Sequence, residues 1–221
     1  MKNINTIYSI LVKKYGLQNW WPTTLEKDLH PTYHGRTLND KMRFEVVVGS
    51  ILTQNTSWKN VEKAIIALNK GKLLSINGIL KTPQKKLAAI IRSAGYFNQK
   101  AERLKIVASF FAKNGFKKLK KERIGKLREL LLALKGIGPE TADSILLYAF
   151  EKPIFVIDAY TKRMCSYLGI CKKDVSYDEL QQMFMKKLKH NVKFFQEYHA
   201  LIVAHAKNHY SKKPYHYSIL K

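Results

Sequence analysis

The stretch "KGIGPETADSILLYAFEKPIFVID", residues 135–158, sets a glycine-punctuated turn, an apolar helix and an extended run in succession and ends on a single acid. The helical run "LRELLLAL" (127–134) stops at this turn. A second helix begins at Pro139, where a first turn tolerates proline because the missing N–H would have no partner. Gly136 and Gly138 can take positive φ and let another backbone come close. The amides of such a turn and of the helix start behind it carry partial positive charge, which makes a cradle for a phosphate of any base sequence. A plain helical hairpin is built the same way, so the turn alone leaves both readings open. Asp158 opens the next periodic run, "AYTKRMCSYLG". It reads either as an N-cap, a role worth about 1 kcal/mol, or as a carboxylate delivered to a site.

Outward from this stretch, helical periodicity runs through nearly the whole chain and strand alternation is almost absent. Helices are predicted over 4–14, 41–52, 59–69, 74–81, 83–93, 98–113, 121–134, 139–150, 159–168, 177–188 and 192–209. The fold class is therefore all-α. The one plausible non-helical region is "WWPTTLEKDLHPTYHGRTLND" (20–40), and long loops in compact domains tend to be functional.

Composition narrows the partners. The chain has 221 residues, 46% of them hydrophobic, enough to bury a sizeable core. Lys and Arg number 40 against 16 Asp and Glu, a formal charge of +24. That excess draws a protein to nucleic acid through counterion release. A single run such as "KKLKKERIGK" (117–126) reads equally as a solvated helix face; the whole-chain imbalance is harder to dismiss. Two cysteines, Cys165 and Cys171, are too few for a disulfide scaffold, which favours a reducing compartment. No apolar stretch is long enough to span a bilayer. The N-terminal run suits an amphipathic helix better than a secretory signal, so a cytoplasmic, nucleoid-associated protein is expected.

Residues 135–158 resemble the helix-hairpin-helix, Gly/Pro-rich loop and aspartate signature (HhH-GPD) of the base excision DNA glycosylase superfamily. The closest likeness is to its endonuclease III branch. "FEVVVGSILTQNTSWKNVEKAI" (44–65), "GYFNQKAERL" (95–104) and "YHALIVAHAK" (198–207) agree with that branch in the same order. The resemblance implies an enzyme that flips a damaged nucleotide out of duplex DNA, because the glycosidic bond is unreachable inside the stack. It implies two helical lobes with a cleft between them: a central bundle over 38–150 holding the hairpin, and a second lobe of 1–37 and 151–221. Asp158 would be the catalytic residue, stabilising the cationic sugar or deprotonating the attacking water. Lys135, Gly136, Ile137, Gly138 and Thr141 would hold the DNA backbone. Gln54 would fill the space left by the flipped nucleotide, although a polar residue at a helix end is the plainer alternative.

Two departures from the branch sharpen the expectation. Members that also cut the sugar-phosphate backbone carry a nucleophilic lysine immediately before the Thr-Ala pair, and here that residue is Glu140. A carboxylate cannot form the Schiff base that β-elimination needs, so a monofunctional enzyme using water is expected. Relatives follow the "HALIVAHAK" helix with four cysteines that ligate a [4Fe-4S] cluster. Here "NHYSKKPYHYSILK" follows, with no cysteine beyond Cys171, so no iron-sulfur cluster and no other cofactor is expected. Packing of Tyr210, Tyr215 and Tyr217 around Pro214 would take over its structural role. His205 and His209 have i, i+4 spacing, but complementary ligands are not evident and no metal is expected.

Loss of both lysine and cluster resembles a subgroup that removes 3-methyladenine and related alkylated purines. That subgroup holds the flipped base between aromatic elements, and this chain offers Trp20, Trp21 and Pro22 near one end and Trp58 just after "TQNT". Electron-rich indole faces attract a positively charged purine, whereas core packing is the alternative for each tryptophan singly. A lysine that the subgroup supplies from its penultimate helix corresponds here to Leu201. The resulting expectation is a monomeric, monofunctional glycosylase acting on double-stranded DNA that contains a damaged base. Oxidised or mismatched pyrimidines with strand cleavage, or a non-catalytic DNA-binding module, are the alternatives.

Overall fold

A computed structural model describes residues 3–36, 38–211, 215, 219 and 220. The all-α expectation holds. In chain order the described residues form α1 (Ile4–Tyr15), β1 (Thr23–Thr24), β2 (Pro31–Thr32), α2 (Asp40–Leu52), α3 (Trp58–Lys70), α4 (Ile76–Lys81), α5 (Gln84–Ile90), α6 (Phe97–Asn114), α7 (Phe116–Lys121), α8 (Ile124–Leu132), α9 (Pro139–Ser144), α10 (Ala159–Tyr167), α11 (Tyr177–Lys187) and α12 (Val192–His209). A 3-10 turn, Arg92–Ala94, follows α5, and a single π-helical turn, Ile145–Ala149, continues α9.

Helix α7 departs from the sequence reading, which has the segment as a lysine run. Phe116 and Leu119 stand one turn apart and are buried, while Lys117, Lys118, Lys120 and Lys121 face solvent. Two apolar residues in six are too few to show a period, so tertiary burial decides the helix. The 20–40 loop carries a second departure, a two-residue antiparallel pairing of Thr23 with Thr32 and Thr24 with Pro31.

The chain divides into two compact units, Trp21–Phe150 and the pair of segments Met1–Trp20 and Glu151–Lys221. Residues 21–37, read in the sequence with the terminal segments, fall in the first of these. The buried Glu45 of α2 ties them there: its carboxylate accepts from Thr24 N at 3.0 Å and from Thr24 Oγ1 at 2.7 Å. Burial raises the Glu45 pKa, and the Thr24 bonds pull against that rise.

In the Trp21–Phe150 unit, α2 is the central helix, capped by Asn39, whose Oδ1 accepts from Met42 N at 2.9 Å. It buries Val46, Val47, Val48, Ile51 and Leu52, and its Arg43 donates to the carbonyl of Ala149 in the π-helical turn. The hairpin helices α8 and α9 are joined by a forked ion pair. Arg128 Nε donates to Asp143 Oδ1 at 2.7 Å and Nη2 to Oδ2 at 3.1 Å, with Asp143 fully buried.

The other unit packs α1, α10, α11 and α12 around aromatic rings. Phe155 stacks on Phe184 at 4.4 Å, and the Tyr198 hydroxyl donates to the Ile4 carbonyl at 2.5 Å. Glu197 of α12 accepts from the backbone amides of Gln18 and Asn19, each at 2.7 Å, which fixes the chain just ahead of Trp20. Tyr167 packs against both Tyr210 and Tyr215 at 5.1 Å, while Pro214 and Tyr217 lie outside the described residues. The rings of His205 and His209 lie 4.4 Å apart, and His205 is engaged elsewhere too. Its Nδ1 is bonded to the Tyr15 hydroxyl at 2.8 Å, and burial, then His209, then Lys14, lower its pKa to about 4.

Candidate active site

The predicted residues fall into two groups, one in each unit. In the unit holding both terminal segments, Asp158 is the N-cap of α10. Residues 151–157 ahead of it form neither helix nor strand, so the carboxylate is set by the cap. Oδ1 accepts from Thr161 N at 2.7 Å, and Oδ2 lies 3.8 Å from His199 Nε2. Oδ1 therefore serves the helix as its cap, and Oδ2 is turned towards His199.

Helix α12 brings two groups to Asp158 that sequence reasoning missed. His199 is buried, and desolvation lowers its pKa against the opposing pull of Asp158. Lys207, eight residues on and on the same helical side, lies 6.0 Å from the centre of the Trp20 ring. Partial desolvation lowers its pKa too, again opposed by Asp158. Trp20 meets His199 edge to face at 5.9 Å. The sequence reading put the position of the helix lysine at Leu201, but Leu201 is fully buried. The lysine of α12 whose pKa the Asp158 charge affects is Lys207, and the i, i+8 spacing of His199 and Lys207 was the available signal.

In the Trp21–Phe150 unit, Trp21 lies on Gly49, where an added Cβ would stand 3.1 Å from its Nε1. It meets Trp58 at 5.7 Å and 84° and Tyr148 at 5.2 Å and 63°. Trp21 and Trp58 are thus brought together, both half-buried, but edge to face and not as parallel plates. Pro22 beside them is buried. Trp20, the third predicted ring, belongs to the other unit and to the neighbours of Asp158.

The hairpin turn uses its glycines differently from the expectation. Gly136 has φ +84, and a Cβ there would run into Arg103, 2.6 Å from its Cδ. Gly138 is extended, with φ −94, and a Cβ there would meet nothing of the described chain within 4 Å. So Gly136 is required by backbone and by Arg103, whereas Gly138 leaves open space on the outer side of the turn. Ile137 turns inward and is buried, Lys135 pairs with Glu102 at 2.5 Å, and Glu140 is exposed in the first turn of α9.

Gln54 lies against this hairpin. Its Nε2 donates to Gly136 O at 3.1 Å and to Thr141 Oγ1 at 2.9 Å, and its Oε1 accepts from Arg103. Lys100, one turn before Arg103 in α6, is 1% exposed and donates to Leu52 O and Ala94 O, each at 2.8 Å. Burial, followed by the Arg103 charge, lowers its pKa to about 8. Tyr96, just ahead of α6, is 64% exposed with φ +46, a flat ring held out to solvent that sequence reasoning also missed.

Residues 48–190 match the family model of the HhH-GPD superfamily base excision DNA repair protein. A protein of Methanocaldococcus jannaschii named as a DNA repair glycosylase is 46% identical over 95% of this chain and 90% of its own length. An endonuclease III of Sulfolobus acidocaldarius is 33% identical over 95% and 89%. Among solved structures, a 3-methyladenine DNA glycosylase of H. pylori bound to 1,N6-ethenoadenine superposes with a TM-score of 0.71 at 28% identity, covering 92% of this chain and 95% of that one. A non-covalent endonuclease III–DNA complex superposes with a TM-score of 0.74 at 19% identity, covering 100% and 94%, a likeness of fold.

Proposed function

The chain belongs to the HhH-GPD superfamily of base excision DNA repair proteins, and from that membership we propose that it is a monofunctional DNA glycosylase. Its substrate is an alkylated purine such as 3-methyladenine, flipped out of duplex DNA. The observation that carries this reading is Asp158, one carboxylate oxygen engaged in the cap and the other turned towards His199.

A purine alkylated on the ring is cationic, and its glycosidic bond breaks with the bonding electrons leaving on the base. The positive charge then moves to the sugar, where a fixed carboxylate stabilises it and accepts a proton from the water that adds at C1′. His199, buried and with its pKa lowered by that burial, stands 3.8 Å from Asp158 Oδ2. Half-buried Trp21 and Trp58, which meet within the Trp21–Phe150 unit, offer electron-rich indole faces of the kind a cationic base prefers. Lys135, the open face at Gly138 and the amides opening α9 suit a DNA backbone, and the exposed Tyr96 ring offers stacking to a base. Glu140 supplies no amine for strand cleavage. A four-thiolate cluster does not fit these 221 residues, which hold only Cys165 and Cys171, the first of them buried with its thiol pKa raised by that burial.

A second reading rests on Lys207. It lies 6.0 Å from the centre of the Trp20 ring, and desolvation lowers its pKa although the Asp158 charge opposes that; a desolvated amine is what Schiff-base formation needs, and with it the enzyme would nick DNA after removing an oxidised or deaminated pyrimidine.

The deciding experiment incubates the protein with methylated duplex DNA and with single-lesion duplexes, with and without borohydride. Release of 3-methyladenine without nicking or a trapped adduct is the expected result, and an adduct lost in Lys207→Ala would establish the second reading instead. Asp158→Asn keeps a good N-cap, so its melting temperature and DNA affinity stay near wild type while base release falls at least 100-fold. Undiminished release by this variant would remove Asp158 from the chemistry.

A further inference from the structure

We propose that Arg103 is a positioning residue that sets the orientation of the Gln54 carboxamide. The proposal rests on the reading of Gln54 as the side chain that takes the place of the flipped nucleotide. Two segments, α6 and the hairpin, meet on this one amide. Lys100 fixes the end of α2 two residues before Gln54 through the Leu52 carbonyl, α6 contributes Arg103, and the hairpin contributes Gly136 O and Thr141 Oγ1.

A carboxamide has a donor end and an acceptor end, and nothing in its shape distinguishes them. A guanidinium only donates and the Gly136 carbonyl only accepts, so the two together set Oε1 towards α6 and Nε2 towards the hairpin. Both N–H groups are then directed at the hairpin, and a second lone pair on Oε1 is left for an outside donor. Room for this arrangement exists because Gly136 has no Cβ where the Arg103 side chain passes. Without Arg103 the carboxamide is held from the hairpin side alone, and its Oε1 no longer has a fixed direction when it meets the partner base.

The test measures single-turnover excision of one lesion opposite each of the four bases. It uses wild type, Arg103→Ala, Arg103→Lys, Gln54→Ala and the double alanine variant, with melting temperatures recorded for each. Arg103→Ala is expected to lower the rate about tenfold and to level the ranking of opposite bases. Arg103→Lys, which keeps a donor, is expected to regain most of the loss. The double variant should be no slower than Gln54→Ala alone, the signature of two residues acting through one interaction. Losses that multiply, or a wild-type rate in Arg103→Ala, would overturn the proposal. The same cycle is run on affinity for a duplex with an abasic-site analogue, which needs no chemistry. Absent excision by wild type with coupled affinities would condemn the glycosylase reading and leave Arg103 its role; additive affinities would remove that role.

Discussion

Gly136 shows how one residue can answer to two requirements at once. Its φ of +84 strains any residue with a Cβ, and the position of that Cβ is already taken by Arg103. Gly136→Ala is expected to cost about 2 kcal/mol, the sum of a left-handed backbone penalty and a displaced side chain. In an Arg103→Ala background only the backbone part should remain, so the loss measured by chemical denaturation should shrink; an equal loss in both backgrounds would mean Arg103 moves aside freely. The neighbouring Gly138 needs neither freedom nor space from within. Both glycines were visible in the sequence, but only geometry separates them. The same limit applies around Asp158. Its place at the head of a helix was legible from the extended run and the periodicity after it. His199 and Lys207 were not, because they reach Asp158 from α12, and a sequence marks which residues share a helix side without saying what that side meets.

At the scale of elements, the long amphipathic helices were legible because burial and period agree, and the short ones were not. Helix α7 carries only two buried positions, and the π-helical turn after α9 is wholly buried, with Arg43 of α2 bonded to its Ala149 carbonyl. The hairpin helices are stapled by the Arg128 pair with Asp143, whose side chain is wholly buried. Arg128→Ala strands that carboxylate in the interior and is expected to destabilise the protein by about 3 kcal/mol. Asp143→Asn in the same background should recover part of the loss in denaturation midpoint, because it removes the uncompensated charge. Failure to recover would show that the arginine acts by packing alone.

For the whole molecule, the charge of +24 was legible at once and bears on affinity more than on lesion choice. Several backbone contacts predict that affinity for undamaged duplex falls steeply with salt, with a slope in log K against log salt of about −4 or steeper. Single-turnover excision at saturating enzyme should change far less. A flat salt response would mean the excess charge serves solubility. The division into units has another consequence, in the order of assembly. Trp21–Phe150 is one unbroken segment, whereas the other unit joins residues 1–20 to 151–221. During synthesis at roughly 5–20 residues per second, α1 leaves the ribosome well before α12. It then waits on the order of ten seconds for Tyr198, whose hydroxyl closes on Ile4. Through that interval Ile4, Ile7 and Leu11 lack their cover from α12, so the nascent chain is exposed to misassociation at α1, while the Trp21–Phe150 segment is already able to fold.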